Sequence, residues 1–462
     1  MTTQTLSSVS FRDPAGFVYC QQGDLRRQVN LVYREHYDRL MAGGLYEELV
    51  GSGLLVQHEE LEAPGWEPEL AYKVIRPETI PFLSYPYEWS FRQYRDAALV
   101  ALEIQRRALL RGMTLKDCSV YNLQFHRGRP IFIDTLSFET YREGSPWMGY
   151  RQFCEHFLAP LALMSLVDHR LSQLCRASLE GVALDLAVRL LPRRSWLRPG
   201  LVMHLHLHER LQRAHADELM PPSQDRVRMS KRALLGLVDS LEATVRGLRW
   251  KPRDSAWASY YQDNSYSPDE FDRKARLVRE LLVRTRGESV WDLGANTGYF
   301  SRIACELGLR TVAFDSDPAC VERIYQEARE RGETRLLPLL LDLFNPSPGL
   351  GWLNQERASI FERGSPDLVM ALALIHHLAL TGNQPMDNLA EFFRRLAPWL
   401  VLEFVPENDP QVRSLSARRF GAHHAYNREI FEKCFSKHFL IILSEPVTAA
   451  GRTLYLLRRR DA

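Results

Sequence analysis

Three apolar runs in the second half of the chain each lead into an aspartate. Asp292 follows SVW, Asp315 follows TVAF, and Asp342 follows LLPLLL, with helical spacing in the segments between the first two runs and after the second. Strands that alternate with helices at this interval specify a parallel sheet with right-handed crossovers. The three carboxylates should therefore reach one edge of one sheet, the edge at which open α/β sheets bind ligands.

The rest of this half continues the alternation. The sequence predicts a helix over residues 269–284, a strand in DLVMALALIHH, a helix in NLAEFFRRLA and a strand in WLVLEFVP. The last two apolar runs, HFLIILSEP and RTLYLLRRR, are separated by a short connection. That spacing favours an antiparallel hairpin at the end of the sheet.

The turn after the first strand has the composition of a ligand-binding loop. It consists of Gly294, Ala295, Asn296, Thr297 and Gly298. Glycines let a ligand approach the backbone, and the following helix presents unpaired N–H groups. The dinucleotide fingerprint GxGxxG is absent, and an acid stands two residues before the first glycine. A carboxylate at that position would repel a pyrophosphate but attract an ammonium or sulfonium cation.

The other two acids suit a nucleoside. Asp315 could accept two hydrogen bonds from ribose hydroxyls, and Asp342 would lie within reach of an adenine amino group. We expect Asp292, at a loop edge, to be solvated in the empty protein, so that Asp292→Ala would cost little folding free energy.

Residues 254–462 resemble the class I S-adenosylmethionine-dependent methyltransferases on these motifs. The resemblance implies a Rossmann-like, seven-stranded α/β sheet whose last strand is antiparallel, with S-adenosylmethionine as cofactor. It implies that Asp292, with Gly294 and Gly298, holds the methionine end of the cofactor, Asp315 the ribose and Asp342 the adenine. Asn296 replaces the middle glycine that is usual in that family.

Methyl transfer depends mostly on alignment of the reacting groups, but a hydroxyl acceptor also needs a base. His376 and His377 are candidates, because a pleated strand would turn one of them toward the cofactor edge. The competing interpretation is a structural histidine. Glu403 and Glu407 are a second option, although solvated strand-end carboxylates explain both more simply.

An aromatic stretch without periodicity precedes the first strand of this half. Its Tyr260, Tyr261 and Tyr266 could close over the cofactor as a lid or could pack at a domain joint.

In the first half, Asp117 and Asn122 lie on a predicted loop and Asp134 ends a predicted hairpin. The arrangement resembles the catalytic loop and metal-binding Asp of protein-kinase-like folds, which implies a possible Mg²⁺ and ATP site. No glycine-rich loop is evident, and Lys73 has no helix Glu partner. The resemblance therefore favours a degenerate α+β kinase-like domain that positions a substrate or partner, with active phosphotransfer as the alternative.

Histidines crowd one segment of the first half, HLHLHERLQRAH, which contains His204, His206, His208 and His215. Two of them, His204 and His208, share a helix face, which suggests a metal, but no thiol ligand adjoins them. A partly packed helix is the simpler interpretation, and no metal site is predicted. The basic residues from Arg189 to Arg213 could contact an anionic substrate, but an ordinary charged helical face is the simpler interpretation.

A chain of 462 residues exceeds what one core usually supports, so we predict domains at 1–222 and 254–462 joined by a helical linker at 223–253. Fifty-nine basic against 57 acidic residues give no support for a nucleic-acid partner. The seven cysteines include no CxxC pair, which favours free thiols in a reducing compartment. The sequence also shows no signal segment and no apolar run long enough to span a bilayer, so we expect a cytoplasmic protein without a membrane partner.

The order of the two halves, with the segments EWSFRQYRDAA and YRQFCEHFLAPLAL, resembles the NoeA-like nodulation-protein group. The resemblance implies a host-interaction or secondary-metabolite context. The sequence thus favours a methyltransferase acting on a small-molecule or glycan hydroxyl, with the first half shaping the acceptor site. A phosphotransferase and a non-catalytic cofactor-binding protein are the alternatives, and the acceptor and oligomeric state stay open.

Overall fold

A computed structural model describes residues 4–6, 12–216, 228–251, 266–417 and 426–460. The chain divides into two compact units. The first unit comprises residues 1–251 together with 349–357, and the second comprises 252–348 and 358–462.

The first unit begins with a five-stranded antiparallel sheet in the order β1-β2-β3-β5-β4. Its strands are β1 Gln4–Leu6, β2 Gly16–Gln21, β3 Asp24–Asn30, β4 His58–Leu61 and β5 Ala71–Pro77. Helices α1 (Arg34–Ala42) and α2 (Leu45–Gly51) connect β3 to β4.

Helix α3 (Phe91–Leu110) is the long helix of this unit. Ser90 and Gln93 cap its N-terminus reciprocally, which satisfies two backbone N–H groups that the helix leaves unpaired. Two small antiparallel pairs follow it, β6 with β9 and β7 with β8. These strands are β6 Met113–Leu115, β7 Leu123–His126, β8 Arg129–Phe132 and β9 Phe138–Thr140.

Helices make up the remainder of the first unit. They are α4 Tyr150–Phe153, α5 Ala159–Leu166, α6 Leu174–Ala177, α7 Leu184–Leu190, α8 Pro199–Leu201, α9 His208–Ala216 and α10 Lys231–Gly247. Helix α10 packs on α3 within this unit, where Arg106 forms ion pairs with Asp239 at 2.5 Å and Glu242 at 2.7 Å.

The second unit is built on a seven-stranded mixed sheet in the order β12-β11-β10-β13-β14-β16-β15. Its strands are β10 Ser289–Leu293, β11 Arg310–Asp315, β12 Leu336–Leu340, β13 Leu368–Ala371, β14 Trp399–Phe404, β15 Phe439–Pro446 and β16 Thr453–Arg459. Strands β10 to β14 pair in parallel, and β16 runs antiparallel to both of its neighbours. The predicted α/β sheet with an antiparallel final strand is confirmed.

Helices connect the strands of this sheet. They are α11 Pro268–Thr285, α12 Tyr299–Glu306, α13 Pro318–Arg331, α14 Met386–Leu396, α15 Pro410–Ala417 and α16 Arg428–Ser436. A core that includes Val278, Val290, Met370 and Val401 joins α11 to the sheet. Because β10, β11 and β12 are adjacent and parallel, their carboxyl ends lie side by side.

Within the described ranges, every helix is too short or too polar to cross a lipid bilayer.

Candidate functional site

A cavity of about 310 Å³ opens at the carboxyl ends of the central strands of the second unit. Asp292, Asp315 and Asp342 all line it. The parallel register places β11 between β10 and β12, so the three acids follow neighbouring strands at one edge. The structure therefore brings together the three carboxylates that the sequence predicts at this edge.

Asp292 is the most deeply placed of the three, with 2% of its surface exposed. Ser301 Oγ donates a hydrogen bond to its Oδ2 at 2.5 Å. Burial raises the pKa of Asp292 to about 7, and the neighbouring Asp315 adds to the increase. The expectation of a solvated loop-edge carboxylate was therefore wrong, because the end of β10 lies beneath the turn and α12 instead of at the surface.

Asp315 is held in place by backbone donors. The N–H of Asn296 donates to its Oδ2 at 2.7 Å, and the N–H of Asp317 donates to its Oδ1 at 2.8 Å. Burial raises the pKa of Asp315 to about 6, although these hydrogen bonds oppose the increase. Asp342 is exposed at the rim, where it accepts a hydrogen bond from the N–H of Phe344 at 2.9 Å.

The turn between β10 and α12 requires left-handed backbone. Gly294 has φ of 77°, Gly298 of 78° and Asn296 of 50°. Asparagine is one of the few side chains that adopt this region at low cost, so it can stand where the resembled family has its middle glycine. A Cβ on Gly294 would lie 3.2 Å from Leu374, which lines the cavity.

Ala295 and Asn296 also line the cavity, whereas Gly298 does not. The N–H groups of Gly294 and Ala295 both donate to Phe314 O at 2.9 Å, which ties the turn to the end of β11. The first three residues of the predicted binding loop therefore face the cavity, whereas Gly298 provides left-handed backbone that the turn requires.

A buried ionic network that the sequence did not predict begins at the wall of the cavity, which Tyr266 and Lys274 line. Lys274 Nζ lies 2.7 Å from Glu403 Oε2, and the two side chains are 4% and 0% exposed. Tyr266 donates its hydroxyl hydrogen to Glu403 and accepts hydrogen bonds from Lys274 at 3.1 Å and from Arg452 at 2.7 Å. Arg452 also donates to Asp409 at 2.8 Å.

This network corrects the interpretation of Glu403 as a solvated strand end. Burial lowers the pKa of Lys274, and the charge of Glu403 opposes that decrease. One signal in the sequence could have indicated the pair, because Lys274 stands on the apolar face of α11, three residues after Phe271 and four before Val278. Glu407 is exposed, as expected.

Tyr266 lines the cavity together with Lys274, with its hydroxyl engaged in the network. Of the three tyrosines considered as a lid, Tyr260 and Tyr261 lie outside the described residues.

The two histidines do not lie on a strand. β13 ends at Ala371, and His376 and His377 belong to a helical turn that continues to Thr381. His377 lines the cavity, whereas His376 is fully buried and does not. The alternation of a pleated strand therefore does not apply, and His376 is not placed to accept a proton from a molecule in the cavity. Burial lowers the pKa of His377, and Arg452 lowers it further.

In the first unit, the structure brings Asp117, Asn122 and Asp134 close together, but with partners of their own. Arg27 on β3 forms an ion pair with Asp134 at 2.6 Å. Burial alone would raise the pKa of Asp134, but the charge and hydrogen bond of Arg27 outweigh it and hold that pKa below its usual value. Gln152 donates to Asp117 at 2.8 Å, and Asn122 donates to Ser137 at 3.2 Å.

Lys73 lies elsewhere, on β5, and pairs with Glu60 at 2.6 Å. The cation that faces Asp134 is thus Arg27, which the sequence did not single out because two arginines adjoin in the strand and nothing local distinguishes them.

Two of the clustered histidines, His204 and His206, form hydrogen bonds with other side chains. Tyr150 and Ser240 each lie 2.9 Å from a ring nitrogen of His204, and Ser195 lies 2.9 Å from His206. Among the described residues no group of side chains is arranged to hold a metal ion. The side chain of His215 lies outside the described part of the chain.

Comparison with known proteins gives one full-length relative. The nodulation protein NoeA of Rhizobium meliloti (strain 1021) is 34% identical over 460 residues, which cover 98% of this chain and 96% of that protein. No model of a known protein family matches the chain.

Three solved structures each match somewhat less than half of the chain. WbdD is 18% identical with a TM-score of 0.30, and the match covers 43% of this chain and 42% of that one. Magnesium protoporphyrin IX methyltransferase (ChlM) from Synechocystis PCC 6803 is 18% identical with a TM-score of 0.31, over 44% and 92% of the two chains. N-methyltransferase NodS from Bradyrhizobium japonicum WM9 is 12% identical with a TM-score of 0.30, over 42% and 99%.

Proposed function

The chain belongs to the NoeA family of nodulation proteins, and we propose that it is an enzyme that transfers a methyl group from S-adenosylmethionine to an acceptor. One observation carries the proposal: three carboxylates on neighbouring strand ends surround a single cavity, and the deepest of them is buried without a full countercharge. A cationic ligand would offset the cost of holding a negative charge at this buried position, because an opposite charge favours the ionised carboxylate.

The described residues fit the cofactor. Asp292 and the turn at residues 294–296 would hold the cationic methionine end, Asp315 would accept from the ribose hydroxyls, and Asp342 at the rim would reach the adenine. Two backbone donors already fix the Asp315 carboxylate, which leaves its remaining lone pairs directed at the cavity. When bound, the cofactor supplies a methyl group on a positively charged sulfur.

For the acceptor, we propose a small-molecule or glycan hydroxyl. His377 faces the cavity, and its lowered pKa keeps the imidazole neutral at neutral pH, so a ring nitrogen can accept the hydroxyl proton. Lys274 and Glu403 neutralise each other and both form hydrogen bonds with the Tyr266 hydroxyl at the wall of the cavity, so we assign them to positioning Tyr266. By its relationship to NoeA, we propose that the product serves host interaction.

The test uses S-adenosylmethionine labelled on the methyl group, incubated with the protein and fractionated lysate, with mass spectrometry of labelled products. The proposal predicts a labelled product whose formation is lost in Asp292→Asn and strongly reduced in His377→Gln. Cofactor binding should survive in His377→Gln, which separates chemistry from binding. Tight binding with no labelled product from any fraction would contradict an enzymatic role and favour a non-catalytic binding protein.

For the first unit, we propose a degenerate kinase-like fold that positions the acceptor rather than transferring phosphate. The support is Arg27, whose guanidinium is paired with Asp134, the carboxylate that would otherwise hold Mg²⁺. A titration with ATP and Mg²⁺ should give the same absence of binding for wild type and Asp134→Ala. Binding that only the wild type shows would instead indicate an active phosphotransferase.

A further inference from the structure

A short 3₁₀ turn of the first unit, Arg193–Leu197, presents two large apolar side chains to solvent. Trp196 is 42% exposed and Leu197 is 82% exposed. The indole stacks on His206 at 4.1 Å between ring centroids, and the Arg210 guanidinium lies 4.9 Å from it. The tryptophan is thus fixed on the protein by one part of its ring and offers the rest to solvent.

The helices around this turn add exposed apolar residues. Leu186 and Leu190 lie one turn apart on α7, and Met203, Leu207 and Leu211 recur every fourth residue through the helical segment that continues into α9. These helices pack against one another and against the 3₁₀ turn. We refer to these seven residues as the Trp196 patch. Patches of this kind on a soluble domain mark interaction sites.

Arginines surround the Trp196 patch. The segment 184–213 contains six arginines, all exposed, and two acids. Arg189 pairs with Asp185 and Arg213 with Glu209, both one turn away. Among the described residues, no acid forms an ion pair with Arg193, Arg194, Arg198 or Arg210. Arg194 and Arg198 donate to the carbonyl oxygens of Leu166 and Gly247, at 2.8 and 3.3 Å, which leaves their positive charges without an acidic partner in the part of the chain that the structure describes. A partner that combines an apolar layer with negative charge would complement this surface.

We propose that the Trp196 patch docks the protein on an anionic lipid surface. Tryptophan and aliphatic residues on short amphipathic helices, flanked by arginines, match the interfacial layer of a bilayer, where rings sit at headgroup level and arginines contact lipid phosphates. Interfacial docking needs no membrane-spanning helix. A protruding leucine at the tip of a turn suits fluid acyl chains, whereas a folded protein would need a matching pocket.

The experiment is co-sedimentation of the full chain with vesicles of phosphatidylcholine alone or mixed with phosphatidylglycerol. Binding should require phosphatidylglycerol and weaken with added salt. Trp196→Ser/Leu197→Ser should reduce partitioning by about tenfold or more, because two apolar side chains no longer leave water. Arg193→Gln/Arg194→Gln/Arg198→Gln should reduce it at least about tenfold, since each arginine near an anionic surface contributes about fivefold.

The chain offers a matched control in Trp352→Ser/Leu353→Ser. This pair is 67% and 71% exposed and has no arginine adjacent in sequence, so its loss should leave vesicle binding unchanged. All variants should stay folded and keep wild-type cofactor affinity, which separates this proposal from the proposed enzymatic function. The arginine variant should melt at a slightly lower temperature, because Arg194 and Arg198 donate to the carbonyl oxygens of Leu166 and Gly247. Absence of vesicle binding, or equal binding by wild type and the Trp196 variant, would overturn it. So would a wild-type dimer that the Trp196 variant abolishes without any vesicle binding, because the patch would then bind a second copy.

Discussion

Lys274 Nζ and Glu403 Oε2 lie 2.7 Å apart in a position where neither side chain is accessible to water. The pair joins helix α11 to the end of β14 at the wall of the cavity, which Lys274 lines. In a buried pair the attraction largely offsets the cost of removing both charges from water, so the intact pair adds little net stability. Loss of one partner, however, leaves the other charge buried without compensation.

We therefore expect Glu403→Gln to lower the free energy of unfolding by about 3 kcal/mol. The double variant Lys274→Met/Glu403→Leu should lose much less, because neither member of the pair is left buried without its counter-charge. Urea unfolding of the single and double variants measures both. Asp387→Asn, which breaks the exposed pair with Lys437 at 2.6 Å, is the control and should change the unfolding free energy little. Equal losses in the buried and exposed variants would contradict this account.

The raised pKa of Asp292 predicts that Asp292→Asn stabilises the empty protein at high pH. The folded protein holds this proton up to about pH 7, whereas the ordinary value is 3.8. Stability of the wild type therefore falls as pH rises from about 4 through 7, because the unfolded chain releases the proton first.

Asparagine does not titrate, so its advantage should be absent below about pH 4 and should reach on the order of 4 kcal/mol at about pH 8. Urea unfolding across this range measures the difference. Asp342→Asn, at the exposed rim of the same edge, should change stability little. A constant difference at every pH would show that the Asp292 carboxylate does not lose its proton in this window.

The same carboxylates predict how cofactor binding depends on pH. A sulfonium ligand needs Asp292 ionised, and ribose hydroxyls need Asp315 ionised, with pKa values of about 7 and about 6. Affinity for S-adenosylmethionine should therefore weaken at least about tenfold from pH 7.5 to 5.5. Adenosine lacks the cationic end, so its binding should follow Asp315 alone, with a midpoint near pH 6. Calorimetric titration of both ligands tests this, and identical profiles would contradict the assignment of Asp292 to the cationic end.

The left-handed backbone of Asn296 predicts which residues the turn accepts. Asn296→Gly should keep stability and cofactor affinity, since glycine adopts φ near 50° freely. Asn296→Val should destabilise the protein by about 1 to 2 kcal/mol and weaken cofactor binding, because a β-branched side chain clashes there. Thermal melting and calorimetry measure the two effects. A valine variant that behaves as the glycine variant does would show that the turn is free to rearrange.

The sequence was sufficient for the second unit's sheet and for the edge that carries the acids. Periodicity and the strand-terminal aspartates are local signals, and the parallel topology then brings Asp292, Asp315 and Asp342 together without further information. The glycine turn is equally local, because its conformation depends on residues 294–298 themselves.

Charge partners across the fold could not be predicted in the same way. The pairing of Arg27 with Asp134 joins residues more than a hundred positions apart, as does that of Lys274 with Glu403. The helical turn that carries His377 follows an apolar run that looks like a longer strand, so the sequence predicts a strand at both histidines and leaves open which of them faces the cavity.

The most direct measurement is calorimetric titration of purified, folded protein with S-adenosylmethionine and S-adenosylhomocysteine at about neutral pH. The account predicts saturable binding of both by the wild type and loss of the methylated ligand's binding in an Asp292→Asn variant that is still folded. Absence of heat for either ligand in the wild type, or full affinity in Asp292→Asn, would contradict it.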